Sequence, residues 1–351
     1  MRSEIFVHKS SIDANFEAIK RRLKPGVKVM AVVKDNAYGH GLVEFATHIQ
    51  GKTDWFCVVR VEEGVVLREA GITNPILVFE VANAERAPLY PKYDLTATVG
   101  DITGFKLLEE GTSYHINFDT GMKRLGMYSS QIPEVLEQIK MYSNIYCKGI
   151  YTHYANSDAE EGNTVAEQLK LFTEIRSHFP EELMTHTANS GGIFYHTDKD
   201  VQFDAVRPGI SLYGYAPGDE VIPDLKSVID WKSQIMQAKR IKKGEAVSYG
   251  CTWKAPKDGW IGAVPVGYSD GVPRILGSEI QLMKGNEFLQ QAGRVTMDYI
   301  MVFSENEIQL GEEIFLFNRK ELTPNEWATK SGTISYEITT RLNQRTKRFY
   351  V

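Results

Sequence analysis

The sequence predicts an α/β protein, with an N-terminal (β/α)8 barrel of the TIM type followed by a mostly β-strand domain. Three observations lead to this prediction. Short apolar runs alternate with longer amphipathic segments over the first two thirds of the chain, eight such runs can be counted, and the pattern changes after about residue 230. Alternating strands and helices indicate a parallel sheet, and eight units fit a closed barrel. A doubly wound open sheet is the competing architecture.

The eight runs read as buried strands because they are short, apolar and bounded by polar or glycine-containing turns. Between them, the segments 131–144 and 164–179 have helical periodicity, and the eighth run carries the weakest strand signal. The runs are Val27–Val33, Trp55–Val59, Pro75–Phe79, Leu95–Val99, Tyr114–Phe118, Cys147–Thr152, Leu183–Thr187 and Phe203–Val206.

From about Asp230 the chain consists of short strand-like segments separated by glycine and charged turns, which is typical of a β domain. The stretch 217–226 (PGDEVIPDLK) has the composition of a junction. We therefore expect a barrel domain over residues 1–225 and a C-terminal β domain over residues 226–351.

Composition narrows the classes of function. The net charge of −5 and the pI of about 6.0 give no electrostatic basis for binding nucleic acid. Cys57, Cys147 and Cys251 form no CxxC pair, so neither a disulfide framework nor a zinc site is expected, and no other metal site is predicted. No signal-peptide pattern or 18-residue apolar run occurs, so we expect a cytoplasmic protein without membrane contact.

Several polar side chains follow the predicted strands, where barrel enzymes carry their chemistry. Lys34 ends the buried run Val29–Val33. It either extends its amine to water or supplies a buried amine that can form a Schiff base. The segment "ANSGG" (188–192) could offer backbone N–H groups to a phosphate. Other polar residues at strand ends are Asp119, Arg124, His153 and Arg207.

Two rival motifs do not fit their usual contexts. "GYSDG" (267–271) matches the hydrolase pattern G-x-S-x-G, but Pro273 argues against the required helix and no histidine follows Ser269. "GHG" (39–41) lacks the third glycine of a dinucleotide-binding fingerprint, since Glu44 stands in its place.

The stretch "AVVKDNAYGHG" resembles the pyridoxal-phosphate lysine motif of the bacterial alanine racemases, which belong to fold type III of the pyridoxal-phosphate enzymes. Eight more segments match that family in order, which carries the resemblance from Lys34 to Arg341, nearly the whole chain. They are "NFDTGMKRLGM", "YTHYANSD", "HTANSGG", "RPGISLYG", "VSYGCTW", "VGYSDGVPR", "GRVTMDYI" and "TISYEITTRL".

The resemblance implies an isomerase that binds pyridoxal 5'-phosphate (PLP), interconverts L-alanine and D-alanine for cell-wall precursors, and forms a homodimer with shared active sites. The first strand, within residues 1–8, would pack on the C-terminal domain. The resemblance also implies site residues. Lys34 would carry the cofactor. The cofactor's phosphate would be surrounded by Tyr38, Asn189, Ser190, Gly209, Ile210 and Tyr336. His153 would lie against the ring, and Arg207, supported by His186, would meet the ring nitrogen. Arg124 and the partner's Met297 would bind substrate, with Tyr268 and Asp298 in the surrounding shell.

Racemisation removes a proton from one face of the α-carbon and returns one to the other, so two bases are the simplest solution. The resemblance assigns Lys34 to the D enantiomer and the partner's Tyr249 to the L enantiomer. An arginine cannot readily give up a proton, so Arg207 would leave the ring nitrogen unprotonated and limit side reactions.

Two departures from the family decide finer points. Where many members have a carbamylated lysine that braces the substrate arginine, this chain has Asn117, so a chloride ion or a water would stand there. Members that act on serine tend to have asparagine where this chain has Tyr336, which favours alanine. The alternatives are a serine racemase of the same family and a PLP-dependent amino-acid decarboxylase, which does not need Tyr249 as a second base.

Overall fold

The computed structural model describes residues 3–158, 164–196, 200–218 and 221–351. The chain divides into two compact units. One unit comprises 14–37 and 42–225, and the other comprises 1–13, 38–41 and 226–351. The predicted junction at 217–226 includes residues 219 and 220, and the predicted first strand includes residues 1 and 2; these four lie outside the described residues. The position of the domain boundary stays a prediction.

The larger unit is the predicted closed barrel of eight parallel strands. Each predicted run overlaps one strand, and β2 (Lys28–Val32) closes the barrel by pairing with β9 (Ala205–Val206), Lys28 opposite Ala205. The final strand, where the sequence signal was weakest, has only two residues. The strands are β2 (Lys28–Val32), β3 (Trp55–Val58), β4 (Ile76–Val81), β5 (Thr96–Val99), β6 (Ser113–Asn117), β7 (Tyr146–Tyr151), β8 (Met184–His186) and β9 (Ala205–Val206).

Helices alternate with these strands, as the periodicity predicts. The segment 131–144 contains a helix that begins at Ile132, where Pro133 fits the first turn because its missing N–H would be unpaired there anyway. The helices of the barrel unit and of the chain leading into it are Lys9–Lys20, Leu42–Ile49, Val61–Glu69, Leu89–Lys92, Ile132–Met141, Val165–Arg176 and Ser190–Tyr195.

The second unit is built on a nine-stranded sheet in the order β11-β14-β17-β16-β15-β18-β10-β1-β19. Strand β1 (Ser3–Val7) pairs antiparallel with β10 and parallel with β19. The strands are β10 (Ile229–Gln234), β11 (Gln237–Ile241), β14 (Gly259–Val264), β15 (Gln281–Lys284), β16 (Glu287–Gln291), β17 (Ile300–Ser304), β18 (Glu313–Phe317) and β19 (Lys347–Tyr350), with β12 (Ala246–Val247) and β13 (Trp253–Lys254) forming a separate hairpin.

An aromatic cluster forms part of the core of this unit. The ring of Phe317 lies 4.5 Å from that of Trp327 and 5.6 Å from that of Trp231. Trp327 comes from the helix Pro324–Ser331, which is followed by the helix Ser335–Thr340. The sequence pattern did not indicate these two helices. Within the described residues, no helix is long and apolar enough to cross a membrane.

Candidate active site

Lys34 lies immediately after β2, at the C-terminal end of the barrel strands. The five residues before it, 29–33, are at most 6% exposed, whereas the Lys34 side chain is 34% exposed. Its Nζ is 3.8 Å from Asp35 Oδ2, and because both groups face water this ion pair is weak. The Lys34 amine is therefore held at the rim by its backbone rather than by a strong charge partner.

The backbone after Lys34 turns in the left-handed sense. Asp35, Asn36, Ala37 and Tyr38 have φ between 51° and 55°, a region that costs a residue with a β-carbon roughly 1–2 kcal/mol. Hydrogen bonds hold this turn. Asp35 N donates to Glu63 Oε1 at 2.5 Å, and Leu42 N donates to Asn36 Oδ1 at 3.0 Å. The turn is thus stabilised from both ends and fixes where the Lys34 side chain starts.

Arg207 follows β9 and is 3% exposed. Its Nη2 donates to the carbonyl oxygens of Thr152 at 2.7 Å and Thr187 at 2.9 Å, and its guanidinium lies 5.2 Å from the ring of Tyr151. Its Nη1 donates to His186 Nδ1 at 2.6 Å. Within the described residues it has no carboxylate partner, so it presents an unneutralised cation. Burial lowers the pKa of Arg207, but a guanidinium stays protonated in proteins.

His153 follows β7, and its Nδ1 is 3.5 Å from Arg207 Nη2. Burial and then the charges of Arg207, Arg124 and Lys34, in that order of size, together lower the pKa of His153 to about 3. His153 is therefore neutral at pH 7. Because the charges of Lys34, Arg124 and Arg207 all act on this imidazole, the structure brings four predicted site residues to the same region of the barrel rim.

The loops after β8 and β9 meet at the Ser190 hydroxyl. Its oxygen accepts a hydrogen bond from Gly209 N at 3.0 Å and lies 3.0 Å from Ser211 Oγ, next to Ile210. Asn189 caps the helix that begins at Ser190, since its Oδ1 accepts from Gly192 N at 2.9 Å. A helix N-terminus of this kind, between the last two barrel loops, suits a phosphate group.

Close packing requires glycine beside that cap. A Cβ on Gly191 would lie 2.4 Å from Ser157 Oγ. The Ser157 hydroxyl in turn donates to Asn189 Oδ1 at 2.8 Å. The side-chain oxygen of Asn189 is therefore engaged in building the loop.

The loop after β6 carries Arg124, whose side chain is exposed, while Asn117 at the end of β6 is buried. The Asp119 carboxylate organises the loop by accepting from Gly121 N at 2.8 Å and Lys123 N at 3.1 Å. Arg124 therefore extends from a turn whose backbone is held by hydrogen bonds to Asp119.

The second unit contains Tyr38 and Tyr336, whose ring centroids are 6.0 Å apart. Gly39 follows Tyr38 with φ +84°, and a Cβ there would lie 2.0 Å from the Thr339 carbonyl oxygen. The Arg348 Nε donates to the Gly39 carbonyl at 2.9 Å. The glycine therefore allows the chain after Lys34 to lie directly against the C-terminal segment of this unit.

Tyr249 lies at the tip of the β12–β13 hairpin and is 72% exposed. Its neighbours Ser248, Gly250 and Cys251 all have positive φ, which makes the hairpin tip strained. Met297, in the loop before β17, is 55% exposed. Its carbonyl accepts from Ser269 N at 3.1 Å and from Ser269 Oγ at 2.6 Å.

Tyr268 contacts the loop before β17, which carries Met297, and Asp298 lies within that loop. Tyr268 N donates to the Thr296 carbonyl at 3.0 Å, and Asp298 Oδ1 lies 3.6 Å from Arg345 Nη2. The "GYSDG" segment therefore braces the loop that carries Met297 and does not form a nucleophile elbow.

Sequence reasoning missed Glu63, which holds the turn after Lys34. Its other carboxylate oxygen accepts from Val59 N at 3.0 Å and Arg60 N at 3.1 Å, in the manner of a capping box. The spacing Arg60-x-x-Glu63 at a helix start was the available signal. Its bond to Asp35 depends on the fold and could not be read from spacing.

Comparisons with known proteins agree with this geometry. The family model described as alanine racemase, N-terminal domain, matches residues 7–217, and the model described as alanine racemase, C-terminal domain, matches residues 228–350. The alanine racemase of Halothermothrix orenii is 35% identical over 97% of this chain and 94% of its own length.

Solved structures agree as well. That of an alanine racemase from Clostridium difficile 630 has a TM-score of 0.94 and 30% identity, and the match covers 100% of this chain and 96% of that one. The structure of alanine racemase from Bartonella henselae with covalently bound pyridoxal phosphate has a TM-score of 0.89 and 26% identity, with both chains fully covered. Given the two family models and the near-complete coverage of its relatives, this chain belongs to the alanine racemase family.

Proposed function

We propose that this protein is a PLP-dependent alanine racemase that interconverts L-alanine and D-alanine with two bases. The observation that carries the proposal is the cluster at the barrel rim, where the charges of Lys34, Arg124 and Arg207 act on the neutral imidazole of His153 and where, within the described residues, Arg207 has no carboxylate partner. Such a cluster suits a small anionic molecule that has to be bound covalently and deprotonated.

The residues present fit PLP. Lys34 offers the amine, the helix start at Ser190 together with the adjoining loop at Gly209 and Ile210 offers a cradle for the phosphate, and buried Arg207 offers N–H donors to the ring nitrogen. His153 would lie against the ring. When bound, PLP would delocalise the negative charge left on the α-carbon after proton removal. Tyr38 and Tyr336 are the further proposed phosphate contacts.

The proton transfers are assigned to two residues of this chain. Lys34 would take the α-proton of D-alanine and return one when L-alanine reacts. Tyr249 of the partner subunit would do the same for the L enantiomer on the opposite face. Arg124, from the same chain as Lys34, would bind the substrate carboxylate, and Met297 of the partner subunit would help to orient the substrate. In this assignment each active site of a homodimer uses both chains.

Exposed apolar side chains support the dimer. Among its described residues the second unit has ten large apolar side chains that are at least 42% exposed, and two of them, Tyr249 and Met297, are the residues proposed to reach the partner's site. The ten are Met236, Tyr249, Tyr268, Ile275, Phe288, Met297, Tyr299, Leu310, Ile334 and Val351.

Two smaller proposals concern the surroundings of the site. Asn117 is buried and uncharged, so we propose that chloride or water stands beside it and supports Arg124. All three cysteines are free thiols, which supports a cytoplasmic location.

Purified protein supplied with PLP should racemise L-alanine faster than L-serine, and it should release no CO2 from either. Tyr336→Asn should raise serine turnover relative to alanine. Faster serine turnover by the wild type would instead identify a serine racemase, and stoichiometric CO2 release would identify a decarboxylase.

A further inference from the structure

Two imidazoles continue inward from Arg207 through the interior of the barrel. His186 on β8 accepts from Arg207 Nη1 through Nδ1, and its Nε2 lies 2.8 Å from Nδ1 of His115 on β6. Both histidines are fully buried. Barrel interiors are usually filled by branched apolar side chains, so a buried row of an arginine and two histidines calls for an explanation.

The arginine determines the direction of every hydrogen bond in this row. A guanidinium can only donate, so His186 Nδ1 must accept and carries no proton. A neutral His186 then has its proton on Nε2, which donates to His115 Nδ1. His115 must likewise carry its proton on Nε2. Burial, followed by the charge of Arg207, lowers the pKa of His115 to about 3 and that of His186 well below its usual value, so both rings are neutral.

The barrel is shaped to hold His115. On the neighbouring strand its register partner is Gly149, and a Cβ there would lie 2.9 Å from His115 Cε1 and 3.0 Å from Nδ1. The pairing of β6 with β7 shifts register between Tyr114 and His115. Trp55 packs on the other side, with its ring centroid 5.4 Å from that of His115.

His186 is held with similar constraint. Its ring stacks on Tyr151 at 4.8 Å with an interplanar angle of 11°, and Tyr151 also lies beneath the Arg207 guanidinium at 5.2 Å. Within the described residues, the hydrogen-bond acceptor given to His186 Nε2 is His115 Nδ1, so the tautomer that Arg207 requires has its proton paired there.

The row does not end at a carboxylate. Within the part of the chain that the structure describes, His115 Nε2 is buried and has no hydrogen-bond partner. In a histidine–aspartate pair the carboxylate stabilises a protonated imidazole. With no anion at the end of this row, His186 stays a neutral acceptor and Arg207 keeps its full positive charge.

We propose that His115 is a positioning residue for Arg207, acting through His186: it pairs the Nε2 proton of His186, stabilises the tautomer that accepts from Arg207 and so orients the guanidinium towards the ring nitrogen. The inference rests on the proposed function only in what Arg207 contacts. The tautomers themselves can be tested without it.

Two substitutions separate the accepting atom from the ring. In His115→Asn, the amide oxygen can occupy the place of Nδ1 and still accept from His186. His115→Phe keeps a ring between Trp55 and Gly149 but offers no acceptor, so the Nε2 proton of His186 is left unpaired in the core. By comparison with residues that orient metal-bound histidines, we expect His115→Phe to lose about tenfold or more in kcat. KM should change little, and His115→Asn should retain most of the activity.

The matched control is Thr98→Val, which removes a buried hydroxyl from the same barrel interior. Thr98 Oγ1 donates to the Val78 carbonyl at 2.6 Å and lies 3.1 Å from Tyr151 Oη. Thr98 is the register partner of His115 on β5, but its hydroxyl forms none of the hydrogen bonds that join Arg207, His186 and His115. It should lower stability without changing the tautomer of either histidine.

The deciding measurement is nitrogen-15 NMR of the histidine rings in the full chain, without and with PLP. We expect His115 and His186 to be neutral and protonated on Nε2 at pH 7 in wild type and in Thr98→Val. His186 should keep this state in His115→Asn and lose it in His115→Phe.

A wild-type His186 protonated on Nδ1, or charged at pH 7, would overturn the proposal whether or not the enzyme is active. Equal kcat for the Asn and Phe variants would also overturn the positioning role. If His115 and His186 are both protonated on Nε2 but the protein racemises neither alanine nor serine, the hydrogen-bonded row is supported and the proposed function is refuted.

Discussion

The two residues proposed as bases lie on backbones of the same unusual kind in very different surroundings. Lys34 opens a turn of four residues with positive φ, and Tyr249 lies among three. The first turn is tied by hydrogen bonds to Glu63 and Leu42 and its lysine is 34% exposed, whereas Tyr249 is 72% exposed. Strained backbone is thus used at both places to aim one side chain.

The difference shows what each base requires. The Lys34 turn is complete within one chain, because its stabilising contacts come from the same subunit. The Tyr249 hairpin presents its ring to solvent, and a proton transfer in which water is excluded would need a second subunit to cover it. On the proposed function, one base would be preorganised by folding and the other by assembly.

Removing the Lys34 amine should have the largest effect. Lys34→Ala should lower racemisation of L-alanine by at least about 10²–10⁴-fold, because it deletes a base and the covalent attachment of PLP together. The measurements are polarimetric racemisation and the visible absorption of the protein after PLP is added and excess is removed. Lys28→Ala is the control, since Lys28 lies at the opposite end of the same strand. Retention of the visible band and of activity in Lys34→Ala would refute the assignment.

Tyr249→Phe should separate the two bases. Racemisation in both directions should fall about 10²–10⁴-fold, because the equilibrium constant ties the two directions together. In D2O, however, the α-proton of D-alanine should still exchange through Lys34, while that of L-alanine should not, as followed by proton NMR. Tyr146→Phe, which changes an exposed tyrosine of the barrel unit, should leave both rates unchanged. Equal exchange of both enantiomers would contradict the division of labour.

Much of the barrel could be predicted from local sequence, since each of its eight strands is a buried run with clear boundaries. The position of Lys34 followed from the same pattern. The conformation of the next four residues did not follow: Asp35 and Asn36 tolerate positive φ, but Ala37 and Tyr38 do not favour it. Contacts with residues distant in sequence, such as Glu63, override local preference there.

Other features depended on partners distant in the sequence. Strand β19 carries charged residues, and only its pairing with β1 at the other end of the chain makes it a strand. His115 lay inside a predicted strand, but nothing near it in sequence indicates a hydrogen bond to His186, 71 residues later. Spacing reveals periodicity within an element and cannot reveal which side chains meet inside a barrel.

The contact that secures the chain after Lys34 can be tested at Gly39. Gly39→Ala should destabilise the protein by about 1–3 kcal/mol more than Gly244→Ala, because the two share the cost of positive φ and only Gly39→Ala adds overpacking. Both glycines have φ +84° in the same unit, but a Cβ on Gly244 would meet nothing within 4 Å, whereas one on Gly39 would meet the Thr339 carbonyl. Guanidinium unfolding midpoints measure the difference. Equal losses would show that the close approach at Gly39 can relax.

The histidines buried inside the barrel should also make the stability of the protein depend on pH in the acid range, whereas the exposed Tyr249 hairpin should not. Burial lowers the pKa of His115 to about 3, and an unfolded histidine has a pKa of about 6.5, so the unfolded chain binds the extra proton between these values. Stability therefore falls as the pH drops from about 6.5 towards 3, by up to about 1.4 kcal/mol per pH unit for this residue. His186 adds to the same trend, because burial also lowers its pKa.

The change that isolates this effect is His115→Asn, measured by guanidinium unfolding between pH 7 and pH 5. The wild type should lose up to about 2 kcal/mol more than the variant over this range, because the variant has one fewer histidine to protonate on unfolding. Tyr249→Phe should follow the wild-type slope. Parallel slopes for wild type and His115→Asn would mean that His115 is not kept neutral by the fold, and the row of neutral acceptors behind Arg207 would then lose its basis.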